Sequence, residues 1–436
     1  MNTILQRIVR FTVCVTSLIS VSTETPADAA TPDQRLEPAP LRLVSQSWKT
    51  PAPGAIGLPT LQAGVVRFAT EEAIYEGHTI RVRPSIWAAS WVPGTGESFS
   101  HFERDRDRLN YDLQAEAKGV VFVGRNRRGE VGVFQYSTNR TERIWVKTST
   151  PIPQASGLFE RVQYPMGLGD HITFIGSGAG NLKGVYRAST NRVERIADTT
   201  MTAPETTNSF HDFSYARVTE DGTVVFTGYS TSGSGLYVQR QGELRRLIDG
   251  AVIEPKSGKA YSGVLLVGLE DQWAYFTSFG GTLSIGRVRL DGSSIETLIN
   301  DQTPLPGESS NLGSVNYASV DNGRILFEAA SEGVDFNLFL WDQGSVRSLV
   351  RRGDRLEEGR ILSVRSGLQA LSGSHFVCLV DVYKEQRESF ERGVYVGDLS
   401  STAMTSLVKA KHEPKRPGWF KLGSAPIEVF AREPQK

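Results

Sequence analysis

The chain has 436 residues, of which 39% are hydrophobic and 43 are glycine, and its 48 basic side chains equal its 48 acidic side chains in number. This balance lacks the excess positive charge on which non-specific binding to nucleic-acid phosphates depends, so nucleic acid is excluded as an expected partner. The length admits either several ordinary domains or one continuous array of repeats.

The first 30 residues have the three parts of a secretory signal peptide. Arg7 and Arg10 supply positive charge, residues 11–21 form a short apolar stretch, and Ala27-Asp28-Ala29 offers the small residues that precede a cleavage site. We therefore predict that residues 1–30 are a signal peptide and that the protein is exported, either periplasmic or secreted. An uncleaved anchor is the alternative. No later stretch has the length of a membrane span, so we expect none in the mature chain.

A short apolar run that ends in phenylalanine recurs seven times, at intervals of 49 to 54 residues. Such a period indicates one supersecondary unit copied in tandem, because a single unit cannot bury its own apolar face. The seven residues are Phe68, Phe122, Phe174, Phe226, Phe276, Phe327 and Phe376.

Three further landmarks keep the same period and complete a unit of four strands. A strand opening with Gly-apolar-aromatic follows the Phe, as in Gly184-Val-Tyr186. An apolar pair such as Leu247-Ile248 comes next, and a run such as Phe210-His-Asp-Phe213 precedes the following Phe. Four antiparallel strands in about 50 residues are typical of a propeller blade. We predict an all-β fold, a β-propeller of about seven four-stranded blades; six blades plus an N-terminal extension are the alternative.

The predicted propeller spans residues 52–425, and a strand-like segment lies on each side of it. Residues 31–51 form an N-terminal segment that contains Leu41–Trp48, and the C-terminal tail, residues 426–436, contains Pro426–Phe430. Pairing of either segment with the opposite terminus would close the ring and remove an exposed sheet edge.

The repeat resembles that of bacterial exported tandem-repeat proteins known by an Asn-x-x-Gly-x-x-x-Phe motif. The resemblance covers about residues 52–410 and is clearest in Asp221-Gly-Thr-Val-Val-Phe226, which Gly235-Leu-Tyr237 and Leu247-Ile-Asp249 follow. It implies an exported, β-propeller-like protein of uncharacterised function, and it implies no catalytic residues.

Polar residues that recur at one position of the repeat are candidates for a binding site. Asp198, Asp249 and Asn300 follow the apolar pair in three consecutive units. Pointing inward, they would line a channel mouth that suits a sugar or Ca²⁺, although residues of this kind also cap turns. We otherwise expect no metal site and no cofactor. Trp87 and Trp145 are candidates for an aromatic binding face.

Two histidines occupy one position of consecutive repeats. His101 precedes Glu103 by two residues, and His211 is followed directly by Asp212. An imidazole beside a carboxylate suits general-base catalysis, which makes His101, His211 and Asp212 the catalytic candidates, while ordinary strand histidines are the alternative.

These observations lead to two functional hypotheses. The first is an exported, monomeric, non-enzymatic binding module that uses a propeller face to bind a protein, a glycan or an envelope component. The second is an extracellular polysaccharide hydrolase or lyase with its site in the channel mouth. An enzyme would gather two carboxylates, or a His and a carboxylate, at one concave position.

Overall fold

The described part of the chain forms 31 β-strands arranged in seven antiparallel sheets. A computed structural model describes residues 41–46, 58–69, 74–78, 81–87, 99–102, 114–116, 119–126, 130–137, 142–190, 192–308, 310–331, 336–356, 359–385 and 389–399. The predicted signal peptide, residues 1–30, and the tail, residues 426–436, lie outside the described residues.

Each sheet is one blade, and its strands follow in chain order except for β1 (Leu41–Gln46), which belongs to the last blade. Blade 1 consists of β2 (Thr60–Gln62), β3 (Val65–Ala69), β4 (Ile74–His78) and β5 (Arg81–Trp87). Blade 2 consists of β6 (Phe99–Phe102), β7 (Gln114–Glu116), β8 (Gly119–Asn126), β9 (Val131–Ser137) and β10 (Glu142–Lys147). Blade 3 consists of β11 (Arg161–Leu168), β12 (His171–Ser177), β13 (Lys183–Ser189) and β14 (Arg192–Asp198), with a 3-10 helix at Ala179–Asn181.

The remaining four blades continue the same order. Blade 4 consists of β15 (Phe210–Val218), β16 (Val224–Ser230), β17 (Gly233–Arg240) and β18 (Glu243–Asp249). Blade 5 consists of β19 (Ser262–Glu270), β20 (Trp273–Gly280), β21 (Ser284–Arg289) and β22 (Ile295–Asn300). Blade 6 consists of β23 (Ser314–Asp321), β24 (Arg324–Ala330), β25 (Asn337–Asp342) and β26 (Ser345–Val350). Blade 7 consists of β27 (Arg355–Leu356), β28 (Gly359–Arg365), β29 (Leu371–Ser372), β30 (His375–Lys384), β31 (Ser389–Asp398) and β1.

The prediction of an all-β propeller with about seven blades is confirmed, and five of the blades have four strands. Blade 2 departs from four because its innermost strand is in two pieces; in blade 7 the innermost strand is divided in the same way, and the short strand β27 additionally pairs with β28. Both β6 and β7 pair with β8, and both β28 and β29 pair with β30. At the outer edge of blade 7, β1 pairs with β31 in antiparallel fashion.

The recurring phenylalanines form the centre of every blade. Each of the seven lies on the second strand from the channel and is at most 1% exposed. In four blades the Phe stacks on the aromatic residue directly opposite it on the third strand, with ring planes 22–27° apart. The stacked pairs are Phe122 with Phe134, Phe174 with Tyr186, Phe226 with Tyr237, and Phe327 with Phe339.

The glycine of the Gly-apolar-aromatic motif is required by a close approach between strands. A Cβ atom on Gly184 would lie 2.7 Å from the carbonyl oxygen of Ala197 on the neighbouring strand, and one on Gly132 would lie 2.8 Å from that of Val146. Any larger residue at these positions would push the third and fourth strands apart.

The hydrophobic core lies between blades as well as within them. One cluster joins Ile175 and Val185 of blade 3 to Phe213 and Phe226 of blade 4, and similar clusters join blade 2 to blade 3, blade 4 to blade 5, blade 5 to blade 6, and blades 6 and 7 to blade 1. The innermost strands contact one another in sequence around the channel, and β29 of blade 7 contacts β2 of blade 1, so the ring is closed. Among the described residues, no helix is long and apolar enough to span a membrane.

Candidate functional site: a cavity at one end of the channel

The recurring polar residues Asp198, Asp249 and Asn300 end the outermost strands of three separate blades. Asp198 Oδ1 accepts the Thr200 N–H at 2.9 Å, and Asp249 Oδ1 accepts the Ala251 N–H at 3.0 Å. Asn300 Oδ1 likewise accepts the N–H of Gln302, two residues further along the chain, at 3.2 Å. The structure therefore does not bring these three side chains together; each one holds the turn that follows its own strand.

We expect Asp198→Ala to lower the free energy of unfolding by about 1–3 kcal/mol, because the N–H of Thr200 would lose its acceptor, the fully buried Asp198 carboxylate. Arg195, whose Nη1 donates to Asp198 Oδ2 at 2.9 Å, would lose its partner as well. Urea unfolding measures the loss. Asp249→Ala is the matched control: the Asp249 side chain is 22% exposed against 0% for Asp198, so its loss should be smaller. Equal losses would contradict this account of the turns.

The catalytic candidates on β15 do not face one another as an acid–base pair. His211 is exposed, and its ring lies 6.4 Å from the ring of Tyr229. The Asp212 carboxylate instead accepts hydrogen bonds from the Lys183 ammonium group and from the N–H of Phe213. For His101 the structure describes only the backbone of β6, which pairs His101 with Arg125, and Glu103 lies outside the described residues.

Trp145 lies largely inside the molecule. It is 8% exposed, its Nε1–H donates to Gln135 Oε1 at 3.1 Å, and the Arg143 guanidinium lies 3.8 Å from the ring centroid. The side chain of Trp87 lies outside the described residues. In the described ranges, no group of three or more His, Cys, Asp or Glu side chains is arranged to hold a metal ion.

The innermost strands of six blades surround a cavity of about 170 Å³ at one end of the channel. It lies where these strands end and turn into the second strands, and we call it the channel-end cavity. Each of the six blades contributes at least one aliphatic side chain to its lining, among them Leu61, Met166, Val218, Leu269, Val320 and Leu371. Sites assembled on the axis of a propeller from several blades are well placed to enclose one ligand group.

Arg217 is the cation of this cavity. Its Nη2 donates to the carbonyl oxygens of Val267 in blade 5 at 2.7 Å and of Leu368 in blade 7 at 3.3 Å, so the side chain reaches across the channel. Burial lowers the pKa of Arg217 to about 10, an effect that the charge of Glu270 partly offsets. The guanidinium is therefore still charged at neutral pH, but it is held in an environment that solvates it poorly.

Glu270, the last residue of β19, is the carboxylate of the cavity wall. Its Oε1 accepts the Asn322 N–H at 2.6 Å and its Oε2 accepts the Gly323 N–H at 2.9 Å, both in the turn of blade 6. Burial raises the pKa of Glu270, and these two N–H groups act in the opposite direction. Both oxygens of Glu270 are thus already engaged in joining blade 5 to blade 6.

The same kind of bond joins the next turns around this end of the channel. Asp321 Oδ2 accepts the Gly373 N–H of blade 7 at 2.9 Å, and Ser372 Oγ accepts the Ala63 N–H of blade 1 at 3.2 Å. Four successive blades are therefore tied together at their hairpin turns, which holds the wall of the cavity in place.

The recurrence of residues in the sequence does not reveal Arg217. The innermost-strand residues that pair with the position just before the recurring Phe are Met166, Arg217, Gly268 and Ser319. Four corresponding positions thus carry four unlike residues. The sequence feature that could have identified Arg217 is its position as the single charged residue in the run Phe213-Ser-Tyr-Ala-Arg-Val218.

A second buried acid, Glu328, lies on β24 between blades 6 and 7. Its Oε1 accepts the Ser366 N–H, and its Oε2 accepts an N–H of Asn316 at 2.9 Å. Burial raises the pKa of Glu328 to about 7. Thr227 has the corresponding position in blade 4, where its Oγ1 accepts the Leu266 N–H of the next blade at 2.9 Å. Glu328 is therefore a residue of the blade junction and does not line the cavity.

A family model described as a family of unknown function (DUF7453) matches residues 39–263 and, in a second register, residues 87–359. The two matches begin about one repeat apart, as expected when one repeating pattern fits a tandem array in more than one way. None of the curated proteins compared with the chain matches it.

Several solved propeller structures are similar to this chain at low sequence identity. The β-propeller domain of the Trilobed protease from Pyrococcus furiosus is 10% identical, with a TM-score of 0.47, over 79% of this chain and 95% of that one. A puromycin-hydrolyzing peptidase from Mycobacterium tuberculosis is 12% identical, with a TM-score of 0.47, over 83% of this chain and 53% of that one. A putative TolB from Agrobacterium tumefaciens is 13% identical, with a TM-score of 0.36, over 82% of this chain and 96% of that one. At such values these likenesses say nothing of substrates or partners.

Proposed function

The chain belongs to the DUF7453 family, whose function is unknown, and we propose that it is an exported, non-enzymatic binding module that takes its ligand in the channel-end cavity. The observation that carries the proposal is the cavity itself, which six blades enclose and into which Arg217 brings a charge. A concave site that combines apolar side chains with a few placed polar groups is a usual form of ligand site.

The location and the partner class in this proposal are inferred from the sequence. Residues 1–30 have the composition of a signal peptide, so the module would act in the periplasm or as a secreted protein. Its partner would then be a protein, a glycan or an envelope component, which a monomer would engage with the propeller face around the cavity.

Binding accounts for the cavity better than catalysis does. A polysaccharide hydrolase or lyase needs two acidic groups, or a His and an acid, that are free to exchange protons at one position. The acid on the cavity wall, Glu270, has both oxygens bonded to main-chain N–H groups. Its neighbour Asp321 accepts hydrogen bonds from Gly373 and Arg324 through one oxygen, Oδ2.

The proposal is tested with the protein purified after export and a defined panel of short peptides and oligosaccharides. We expect one class of these probes to raise the melting temperature of the wild type and of Arg245→Met, but not that of Arg217→Met. A ligand at 100 times its Kd stabilises by about 2.7 kcal/mol, which is measurable in a thermal scan. Arg245 is a matched control because it is 44% exposed and pairs only loosely, at 3.8 Å, with Glu243 on the outermost strand of the same blade.

Two outcomes would contradict the proposal: no probe stabilises the wild type, or a probe stabilises Arg217→Met as much as the wild type. Should Arg217→Met fail to fold, Leu168→Trp serves in its place, because Leu168 lines the cavity from a half-buried position and a larger ring there would fill it.

A further inference from the structure

The hydrogen bonds of Arg217 leave part of its guanidinium free. Only Nη2 is bonded, to the carbonyl oxygens of Val267 and Leu368. The N–H groups of Nε and Nη1 have no partner among the residues that the structure describes, and they are not sealed from solvent. The two carbonyls fix the orientation of the group, so its free donors are held in place before any ligand arrives.

Arg217 also lacks an ion pair within the described part of the chain. The nearby Glu270 uses both of its oxygens for the N–H groups of Asn322 and Gly323. A partly buried guanidinium without a carboxylate is unusual, because the fork of donors matches a carboxylate in geometry and in charge. An incoming carboxylate would supply the partner that the fold does not.

The walls of the cavity restrict what can accompany that carboxylate. Side chains such as Leu61, Met166 and Val320 are aliphatic, and none of the described residues that line the cavity is aromatic. The described lining therefore offers a sugar ring no aromatic face to stack on, whereas an aliphatic side chain finds apolar side chains to pack against. The volume of about 170 Å³ is below that of ordinary small-molecule pockets, so it admits an end group rather than a whole ligand.

The turns that follow the cavity-lining residues carry exposed acidic side chains. Asp170 follows Leu168 by two residues, Glu220 and Asp221 come shortly after Val218, and Asp271 directly follows Glu270. A ligand that extended from the cavity toward these turns would meet their carboxylates. A neutral or basic segment therefore suits the rim better than an acidic one.

We propose that the channel-end cavity holds the C-terminal carboxylate of a polypeptide whose last residue is aliphatic, with the free donors of Arg217 as its counter-ion. This inference rests on the proposed function and names its ligand class. The carboxylate meets the guanidinium, the last side chain meets the aliphatic walls, and the preceding residues pass the acidic rim. Capture of a free chain terminus needs only this small end-on site.

The test uses fluorescence anisotropy with a labelled hexapeptide that ends in leucine and carries one lysine. We expect the form with a free carboxylate to bind about tenfold or more tightly than its C-terminal amide, because the amide lacks the charge that Arg217 pairs with. Arg217→Met should bind both forms equally, whereas Arg245→Met should keep the difference. Replacing the lysine of the peptide by glutamate should weaken binding, and less so at high salt.

The remaining outcomes distinguish a failure of this inference from a failure of the proposed function. Equal binding of the carboxylate and amide forms by the wild type overturns the inference, and it does so without any variant. If a uronic-acid trisaccharide binds and its binding needs Arg217, while neither peptide binds, the proposed function stands and the polypeptide assignment is wrong. If binding of neither probe depends on Arg217, both are wrong.

Discussion

Phe226→Ala is expected to lower the free energy of unfolding by about 3–5 kcal/mol, the usual cost of removing a fully buried ring without refilling its space. Phe226 is 0% exposed, and its ring centroid lies 5.6 Å from that of Tyr237, 5.8 Å from that of Phe213 and 6.1 Å from that of Phe210. The loss of these contacts affects blade 4 and its junction with blade 3, because the same cluster spans both.

Phe279→Ala is the matched control, since Phe279 is a strand phenylalanine that is 44% exposed. It should cost less than about 1 kcal/mol, as most surface substitutions do. Both variants are compared by urea unfolding followed by tryptophan fluorescence and by circular dichroism, because coincident transitions justify a two-state free energy. A larger loss for Phe279→Ala than for Phe226→Ala would be incompatible with a core built on the recurring Phe.

The same recurrence made the fold predictable from the sequence. Each blade must bury its second strand against the third strand and against the neighbouring blade, so each needs a large apolar residue at the same place. Phe174, Phe226 and Phe327 meet that need identically, with an aromatic residue opposite each. A requirement that every repeat shares leaves a period in the sequence.

The cavity was not predictable in this way, for the opposite reason. A site on the channel axis takes a different residue from each blade, and the positions that correspond to Arg217 hold Met166, Gly268 and Ser319. Selecting residues that recur finds Asp198 and Asp249, whose side chains bond to the turns that every blade must make. Recurrence in a repeat protein identifies what the blades have in common, and a ligand site depends on how they differ.

The division of the innermost strand into two pieces, in blades 2 and 7, was not predicted from the sequence either. In blade 7 the chain leaves β28 and returns as β29, and both pieces pair with the single strand β30. The segment between them carries Leu368, whose carbonyl oxygen accepts a hydrogen bond from Arg217, and Gln369, which lines the cavity. Strand propensity cannot distinguish such an interruption from an ordinary strand end, because the interruption is defined by the partner strand.

Glu328→Gln is expected to gain stability relative to the wild type as the pH rises from 5 to 8, by about 2.5 kcal/mol in total. Burial raises the pKa of Glu328 to about 7 in the folded protein, from an ordinary value of 4.5. Below the ordinary value the carboxyl group is protonated in both states, and its contribution to stability is fully present. Above pH 4.5 the carboxyl group of the unfolded chain ionises, while the folded protein keeps its proton until the pH rises through 7. The contribution of Glu328 to the free energy of unfolding is lost over this range, at about 1.4 kcal/mol per unit of pKa difference. Glutamine avoids this cost, and its amide can still accept the Ser366 N–H.

Glu254→Gln provides the control with the same chemistry and the opposite direction of shift. Glu254 is also 0% exposed, but although burial raises its pKa, hydrogen bonds from Thr297, Ser257 and the Lys256 N–H outweigh that effect and hold the pKa below the usual value. Its contribution to stability is present above the ordinary pKa and is lost only as the pH falls through the lower, folded value. The difference between Glu254→Gln and the wild type should therefore be constant from pH 5 to 8. Urea unfolding at pH 5, 6, 7 and 8 measures both series; a constant difference for Glu328→Gln would mean that this carboxylate is stabilised as an anion at the blade junction, through the Ser366 and Asn316 bonds, in spite of its burial.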